Sequence, residues 1–344
     1  MKKTLLTILS IALVFVFSCK NTESSDEQTN TENNQEVLNS DNSNTKNSQV
    51  SYDFKELSFS ESEISNDLYT GNIIDGKKWQ DKAGINYLVL SEKTTTKAQQ
   101  NSNDMKSYEI HGYHYIDNDG KFELIREVKD FQNDCDLILD CGLCENSLEI
   151  TDLDGDNYGE ATFMYYLYCA MDLSPSTVKL MLLENGEKYP IRGESYVNYG
   201  PEGMGGAINL GTEFTNAPSE FKDFATNKWN SIIYKMSNIT PEYKLLEQFK
   251  GITFAGVEPN WTVKLGVYGV TLTQMGVGDI YLEYTSIGQT GDGTINITAK
   301  TGNKYYDFNI KKETCTDGMS DNKYSYSIEV LKDGGNLYGC CCKN

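Results

Sequence analysis

From Tyr52 onward the chain is a succession of short segments rich in β-branched and aromatic residues, separated by turn clusters. Asn86–Leu90, Tyr108–Tyr115, Lys121–Ile125 and Thr162–Tyr168 have this character. Asp117–Gly120 and the pair Asn185-Gly186 fall between such segments, as antiparallel hairpins require. One helix is expected, from Pro218 to Met236. Proline suits a first helical turn, and Phe221, Phe224, Ala225, Ile232 and Ile233 can share one face. Ile239–Lys244 reads as a linker. Beyond it, Trp261–Val267, Asp279–Tyr284, Thr294–Ala299, Lys304–Ile310 and Tyr324–Leu331 read as strands punctuated by glycine turns. The expected fold is therefore mainly β. Residues 52–236 would form an α+β domain with an antiparallel sheet and one helix, and residues 245–344 a small all-β barrel or sandwich.

The first fifty residues have a different grammar. Lys2 and Lys3 precede a largely apolar run from Leu5 to Phe17, too short to span a bilayer, which needs roughly 20 apolar residues. The run ends in Val16-Phe17-Ser18-Cys19, which looks like a lipobox. Residues 1–19 thus read as a lipoprotein signal peptide with Cys19 as the lipidated residue, giving a membrane partner through acyl chains. An ordinary signal peptide that happens to hold a cysteine is the alternative. Residues 20–51 lack aromatic side chains and read as a disordered acidic tether. Glu23, Asp26 and Glu27 near its start resemble signals that send some Bacteroidetes lipoproteins to the cell surface. The expected location is the outer membrane, on the cell-surface or periplasmic face.

A formal net charge of −20 argues against nucleic acid as a partner. Nine cysteines fit an exported chain. Apart from Cys19 they fall as Cys135, Cys141, Cys144 and Cys169 in one half, and Cys315, Cys340, Cys341 and Cys342 in the other. Even numbers suggest bridges within each half. Cys141-Gly-Leu-Cys144 is expected to form a structural bridge rather than a redox or zinc site, and the 340–342 run stays unassigned.

The densest chemistry lies in Thr151–Glu160. Asp152, Asp154 and Asp156 alternate at positions 1, 3 and 5 of a tight loop, Tyr158 follows at 7 and Glu160 at 9. Calcium takes six to eight oxygen ligands, and alternating carboxylates plus the Tyr158 carbonyl would supply them. Phe163 stands where an EF-hand needs a bidentate glutamate, so this is a shorter strand-joining loop. Asn157 tolerates the left-handed conformation such a loop demands. Calcium, in a structural role, is the expected cofactor; a metal-free Asx turn is the competing reading.

Six blocks in order carry a wider resemblance: Trp79–Asn86, Asp130–Cys135, Thr151–Asp156, Cys169–Pro175, Lys179-Leu180 and Lys188–Gly193. Over residues 75–236 they resemble a family of flavobacterial exported proteins named for surface polysaccharide biosynthesis. That resemblance implies a role in surface glycan assembly and no catalytic residue. In the second half, Gly256-Val-Glu-Pro-Asn-Trp261 and Cys315-Thr-Asp-Gly-Met-Ser-Asp321, followed by Tyr324 and Leu337–Cys340, resemble small uncharacterised envelope lipoprotein domains. Glu258, Trp261, Asp317 and Asp321 carry that pattern, and it implies a Cys315–Cys340 bridge. Small barrels of this kind include periplasmic lysozyme inhibitors.

Catalysis has little purchase. His111 and His114 are the only histidines, and three-residue spacing on a strand sends them to opposite faces. With 50 acidic residues, no glycan-hydrolysing pair stands out. Trp79 and Trp261 read as core residues, and the glycine-dense Gly200–Gly211 as a connector. The expected function is a non-catalytic binding or assembly factor for a surface glycan. The alternatives are a binder of a cell-wall hydrolase and a glycan-active enzyme.

Overall fold

Five antiparallel strands, β1 (Lys55–Leu57), β2 (Asn72–Asp81), β3 (Gly84–Lys97), β4 (Met105–Asn118) and β5 (Lys121–Cys135), form the first sheet in sequence order. Asp119 and Gly120 take φ of 56° and 86°, the double left-handed turn that matches strand twist in a tight hairpin. Asn185 and Gly186, at 42° and 82°, do the same in the second sheet. That sheet contains β6 (Ile138–Leu143), β7 (Glu149–Thr151), β8 (Glu160–Ala170), β9 (Thr177–Glu184) and β10 (Glu187–Glu194). After the short pair β11 (Tyr196–Val197) and β12 (Met204–Gly205), β13 (Ile208–Leu210) completes it at the edge of β10. The computed structural model describes residues 53–99, 103–258, 260–333 and 335–343. The expected signal peptide, the tether and Cys19 lie outside the described residues. No described helix is long and apolar enough to cross a membrane.

The two sheets pack face to face. Trp79, Leu88, Leu90 and Ile110 of the first meet Phe163, Tyr165, Leu167 and Leu183 of the second. The Cys135–Cys169 disulfide joins the end of β5 to β8 across the layers. The other face of the second sheet packs Met164, Leu180, Leu182 and Ile191 against helix α1 (Ser219–Met236). Strand β8 is thus covered on both faces, which is why its sequence is an almost unbroken apolar and aromatic run.

Pro218 is the residue before the helix rather than its first turn. The helix buries Phe221, Ala225, Trp229, Ile233 and Tyr234. Phe224 and Ile232 are only partly buried, and Trp229 takes the central place the periodicity overlooked. The expected linker is also packed: Ile239 and Tyr243 are buried, and Pro241–Leu245 forms a 3-10 turn.

The remaining strands are β14 (Thr253–Val257), β15 (Asn260–Leu265), β16 (Gly269–Gln274), β17 (Gly278–Gln289), β18 (Ile295–Thr301), β19 (Lys304–Cys315), β20 (Tyr324–Leu331) and β21 (Leu337–Lys343). They close into a barrel, deciding between the two expected architectures. An eight-strand barrel is just wide enough for side chains to fill, and Phe254, Val263, Leu272, Ile297, Phe308 and Val330 are all buried in its core. β14, β16 and β21 were absent from the sequence reading. Gly256 and Gly339 weaken the strand signal of two of them, yet both are needed. A Cβ on Gly256 would lie 2.3 Å from Trp261 Nε1, and one on Gly339 would lie 2.8 Å from Trp261 Cζ2. The indole lies over both glycines.

One core runs from the second sheet and helix α1 through Tyr243, Leu246 and Phe249 into the barrel. The glycine-dense connector adds to this joint, because the Tyr268 amide donates to the Pro201 carbonyl at 2.9 Å. The described residues form a single compact unit.

The cysteine expectations divide. Cys315 and Cys340 are bonded. The expected Cys141–Cys144 bridge is not formed, and both thiols are free. Cys141, on β6, packs against the core between the sheets, and Cys144, just past the end of β6, lies in the core beside the helix. Residues three apart on a strand point to opposite faces, so CxxC spacing on an extended segment keeps the sulfurs apart.

Candidate metal centre

The acidic loop joins β7 to β8, and its backbone turns at Gly155 and Asn157, with φ of 72° and 66°. The fold brings its carboxylates together in two overlapping groups. Oxygens of Asp152, Asp154 and Asp156 lie within 4.8 Å of one another, and so do oxygens of Asp154, Glu160 and Glu184. Calcium–oxygen bonds of 2.3–2.6 Å allow two ligand atoms on one ion to be at most about 5 Å apart, so both groups have cation-binding dimensions. Tyr158 closes the loop: its amide donates to Asp156 Oδ1 at 2.8 Å, and Lys82 Nζ sits 4.7 Å from its ring centroid.

Glu184 was absent from the sequence reading. It ends β9, 24 residues after Glu160, and reaches the loop because β9 pairs with β8 in register, Ala161 opposite Leu183. Nothing in the linear spacing marks it; only the strand pairing does.

The oxygens themselves point to a missing partner. Glu160 is fully buried, and its Oε2 accepts from Thr151 Oγ1 at 2.8 Å and the Leu153 amide at 2.9 Å. Among the described residues its Oε1 has no hydrogen-bond partner, and neither do Asp152 Oδ1 or Glu184 Oε1. A buried carboxylate oxygen without a donor is costly. Burial pushes the Glu160 carboxyl up to about 7. Glu184 is pushed up to about 7 by burial and then by the neighbouring charges of Asp156, Glu160, Asp154 and Asp152. Burial, followed by Asp156 and Asp152, also raises Asp154. A divalent cation would relieve all three, supplying positive charge and filling the empty lone pairs.

The loop is braced from the first sheet. Asp81, at the end of β2, accepts from Trp79 Nε1, the Ala83 amide and Asn86 Nδ2, each at 2.8 Å, and from the Gly159 amide at 3.0 Å. Gly159 must be glycine, since a Cβ would lie 2.5 Å from Trp79 Nε1. The Lys82 amide donates to the Asn157 carbonyl at 2.8 Å. The Trp79–Asn86 block thus braces the acidic loop at Asn157 and Gly159, just beyond the Thr151–Asp156 block.

His114 belongs to the same network. Asn86 spends its amide protons on Asp81 and Gly84, so its Oδ1 must accept from His114 Nε2 at 2.9 Å. Burial pushes His114 down to about 3, and the ring packs 5.0 Å from Trp79. His111, on the opposite face of β4, is buried between Glu109 and Tyr113. The second-half motif residues have separate duties. Glu258 is exposed at the β14–β15 turn and Asp321 is exposed after Ser320; Pro259 lies outside the described residues. Asp317 accepts from the Met319 amide, the Ser320 amide and hydroxyl, and Tyr324 Oη, pinning the loop from 316 to 323.

Compared with family models, curated proteins and solved structures, the chain matches none of them. The two resemblances therefore rest on their quoted residues.

Proposed function

We propose that this chain is a membrane-anchored, non-catalytic binding or assembly protein of the cell envelope whose sandwich is locked by a structural calcium ion. The observation that carries the calcium reading is the buried Glu160, whose Oε1 has no partner among the described residues and whose carboxylate groups with those of Asp154 and Glu184. An ion held there ties three places in the chain: the β7–β8 loop, the start of β8 and the end of β9. Glu160 and Glu184 neighbour each other across the β8–β9 ladder, so the ion would fix register as well as charge. The non-catalytic reading is supported by the histidines, both buried and engaged in hydrogen bonds. The surface-glycan assignment rests on the six-block resemblance and the lipobox-like Val16–Cys19.

The test is the surface-polysaccharide ladder of a deletion strain. It is complemented with the intact gene, with Cys19→Ala, and with Asp154→Asn/Glu160→Gln. Restoration by the intact gene alone supports the whole reading. A ladder unchanged by deletion removes the glycan role, and full rescue by the carboxylate variant removes the need for calcium.

One observation favours a second reading, a binder of a cell-wall hydrolase through the barrel. Met319 is 75 % exposed on the loop that Asp317 pins, and a preorganised apolar tip lowers the entropic cost of docking. Stoichiometric suppression of lysozyme, lost in Met319→Asp, would establish it.

A further inference from the structure

The last strand carries three consecutive cysteines, and Cys340 is already bonded to Cys315. The other two are free, and their sulfurs lie 2.7 Å apart. This is not what a strand does by default, because adjacent residues project to opposite faces. The exception has a local cause: Cys342 has a φ of 64°, a left-handed conformation uncommon for a residue with a Cβ. That turn swings its side chain to the side occupied by Cys341, and both sulfurs pack on the core shared by the barrel and helix α1. The contrast with Cys141 and Cys144 is direct, since those two sit in different cores.

We propose that Cys341 and Cys342 are a modification site, closing a disulfide across the single peptide bond between them by exchange with a disulfide oxidant. The oxidant is a dithiol–disulfide protein or a small-molecule disulfide. Cys342, half-buried and the more accessible of the two, attacks the oxidant's disulfide as the thiolate. This forms a mixed disulfide and releases one reduced thiol of the oxidant. Cys341, held protonated by burial and by its neighbour, loses its proton and displaces the second oxidant sulfur. Two thiols become one disulfide, and the oxidant leaves as two thiols.

The bond has a structural consequence. β21 closes the barrel by pairing along β20 and meeting β14 at Cys340 opposite Ala255. A ring at Cys341-Cys342 locks the left-handed residue just before the last pair of this strand, Lys343 with Tyr324, so its formation secures the seam of the barrel.

The experiment uses the full chain after export, denatured without reductant and alkylated with iodoacetamide. The expected label falls on Cys141 and Cys144 alone, and the C-terminal peptide, still linked to Cys315 through Cys340, is lighter by two hydrogens than the same linked peptide with Cys341 and Cys342 as thiols. In a second arm the reduced chain meets glutathione disulfide. At Cys341 and Cys342 the wild type should lose two hydrogens beyond those lost in re-forming Cys135–Cys169 and Cys315–Cys340, whereas Cys341→Ser should stop at the glutathione adduct on Cys342. Alkylation of Cys341 and Cys342 in the exported chain, or a stable glutathione adduct on Cys341 or Cys342 of wild type, overturns the proposal.

Discussion

The carboxylate of Asp81 accepts the Gly159 amide at 3.0 Å, joining residues 78 apart in sequence. Three further donors converge on it, from Trp79, Ala83 and Asn86. A buried carboxylate tolerates its loss of water only when donors replace that water. Because Gly159 precedes Glu160, this β2–β3 turn fixes where the acidic loop enters β8. The first sheet thus positions a carboxylate cluster built on the second.

Removing that carboxylate should be severe. Asp81→Ala leaves four donors unanswered, two of them side chains, and is expected to cost about 3–5 kcal/mol. Urea denaturation with calcium present measures it, and a loss within experimental error of zero would show that the joint is not a stability element.

Calcium binding should depend on the residue that spacing alone did not mark. Glu184→Gln and Glu160→Gln should each weaken calcium at least about tenfold in calorimetry, equivalent to ~1.4 kcal/mol. Calcium at roughly a thousandfold above its Kd should stabilise the wild-type chain by about 4 kcal/mol. Unchanged affinity in Glu184→Gln would remove β9 from the site.

Proton linkage gives an independent check in chelator. The Glu160 and Glu184 carboxyls rise from 4.5 to about 7 on folding, so the folded state holds their protons more tightly than the unfolded chain. Their favourable contribution is complete below about pH 4.5 and is lost as pH climbs through about 7. The melting temperature in chelator should therefore fall across this window. Saturating calcium should flatten or reverse that fall, and identical pH profiles with and without calcium would contradict the coupling.

At the barrel, Gly256→Ala places a methyl group against the Trp261 ring and the Tyr338 carbonyl, 2.3 and 2.5 Å from the added carbon. The indole has nowhere to move within a filled barrel, so a loss of about 1–3 kcal/mol is expected. Tryptophan fluorescence during denaturation reports it directly. The double variant Gly256→Ala/Trp261→Phe should recover part of the loss, because the smaller ring yields space.

Removing the inter-sheet bridge with Cys135→Ser/Cys169→Ser is expected to cost about 2–5 kcal/mol. Cys141→Ser should leave both disulfides intact by mass analysis, since that thiol takes part in neither.

Local chemistry made part of this molecule readable from its sequence. β-Branched runs between turn pairs gave the antiparallel strands, and left-handed Asp119-Gly120 and Asn185-Gly186 turns follow from their side chains. The alternating carboxylates of Asp152, Asp154 and Asp156 marked the loop because their spacing is itself the signal. The same rule for extended backbone that separates His111 from His114 also separates Cys141 from Cys144, whatever their CxxC spacing suggests. What tertiary structure alone decided depends on contacts with no fixed spacing. Strand pairing brought Glu184 to Glu160, and sheet packing brought Asp81 to Gly159. Barrel closure turned Gly256 and Gly339 from apparent strand breakers into the bed of Trp261. Local conformation is governed by nearest neighbours, but a buried charge finds its partners only after distant strands have chosen their register.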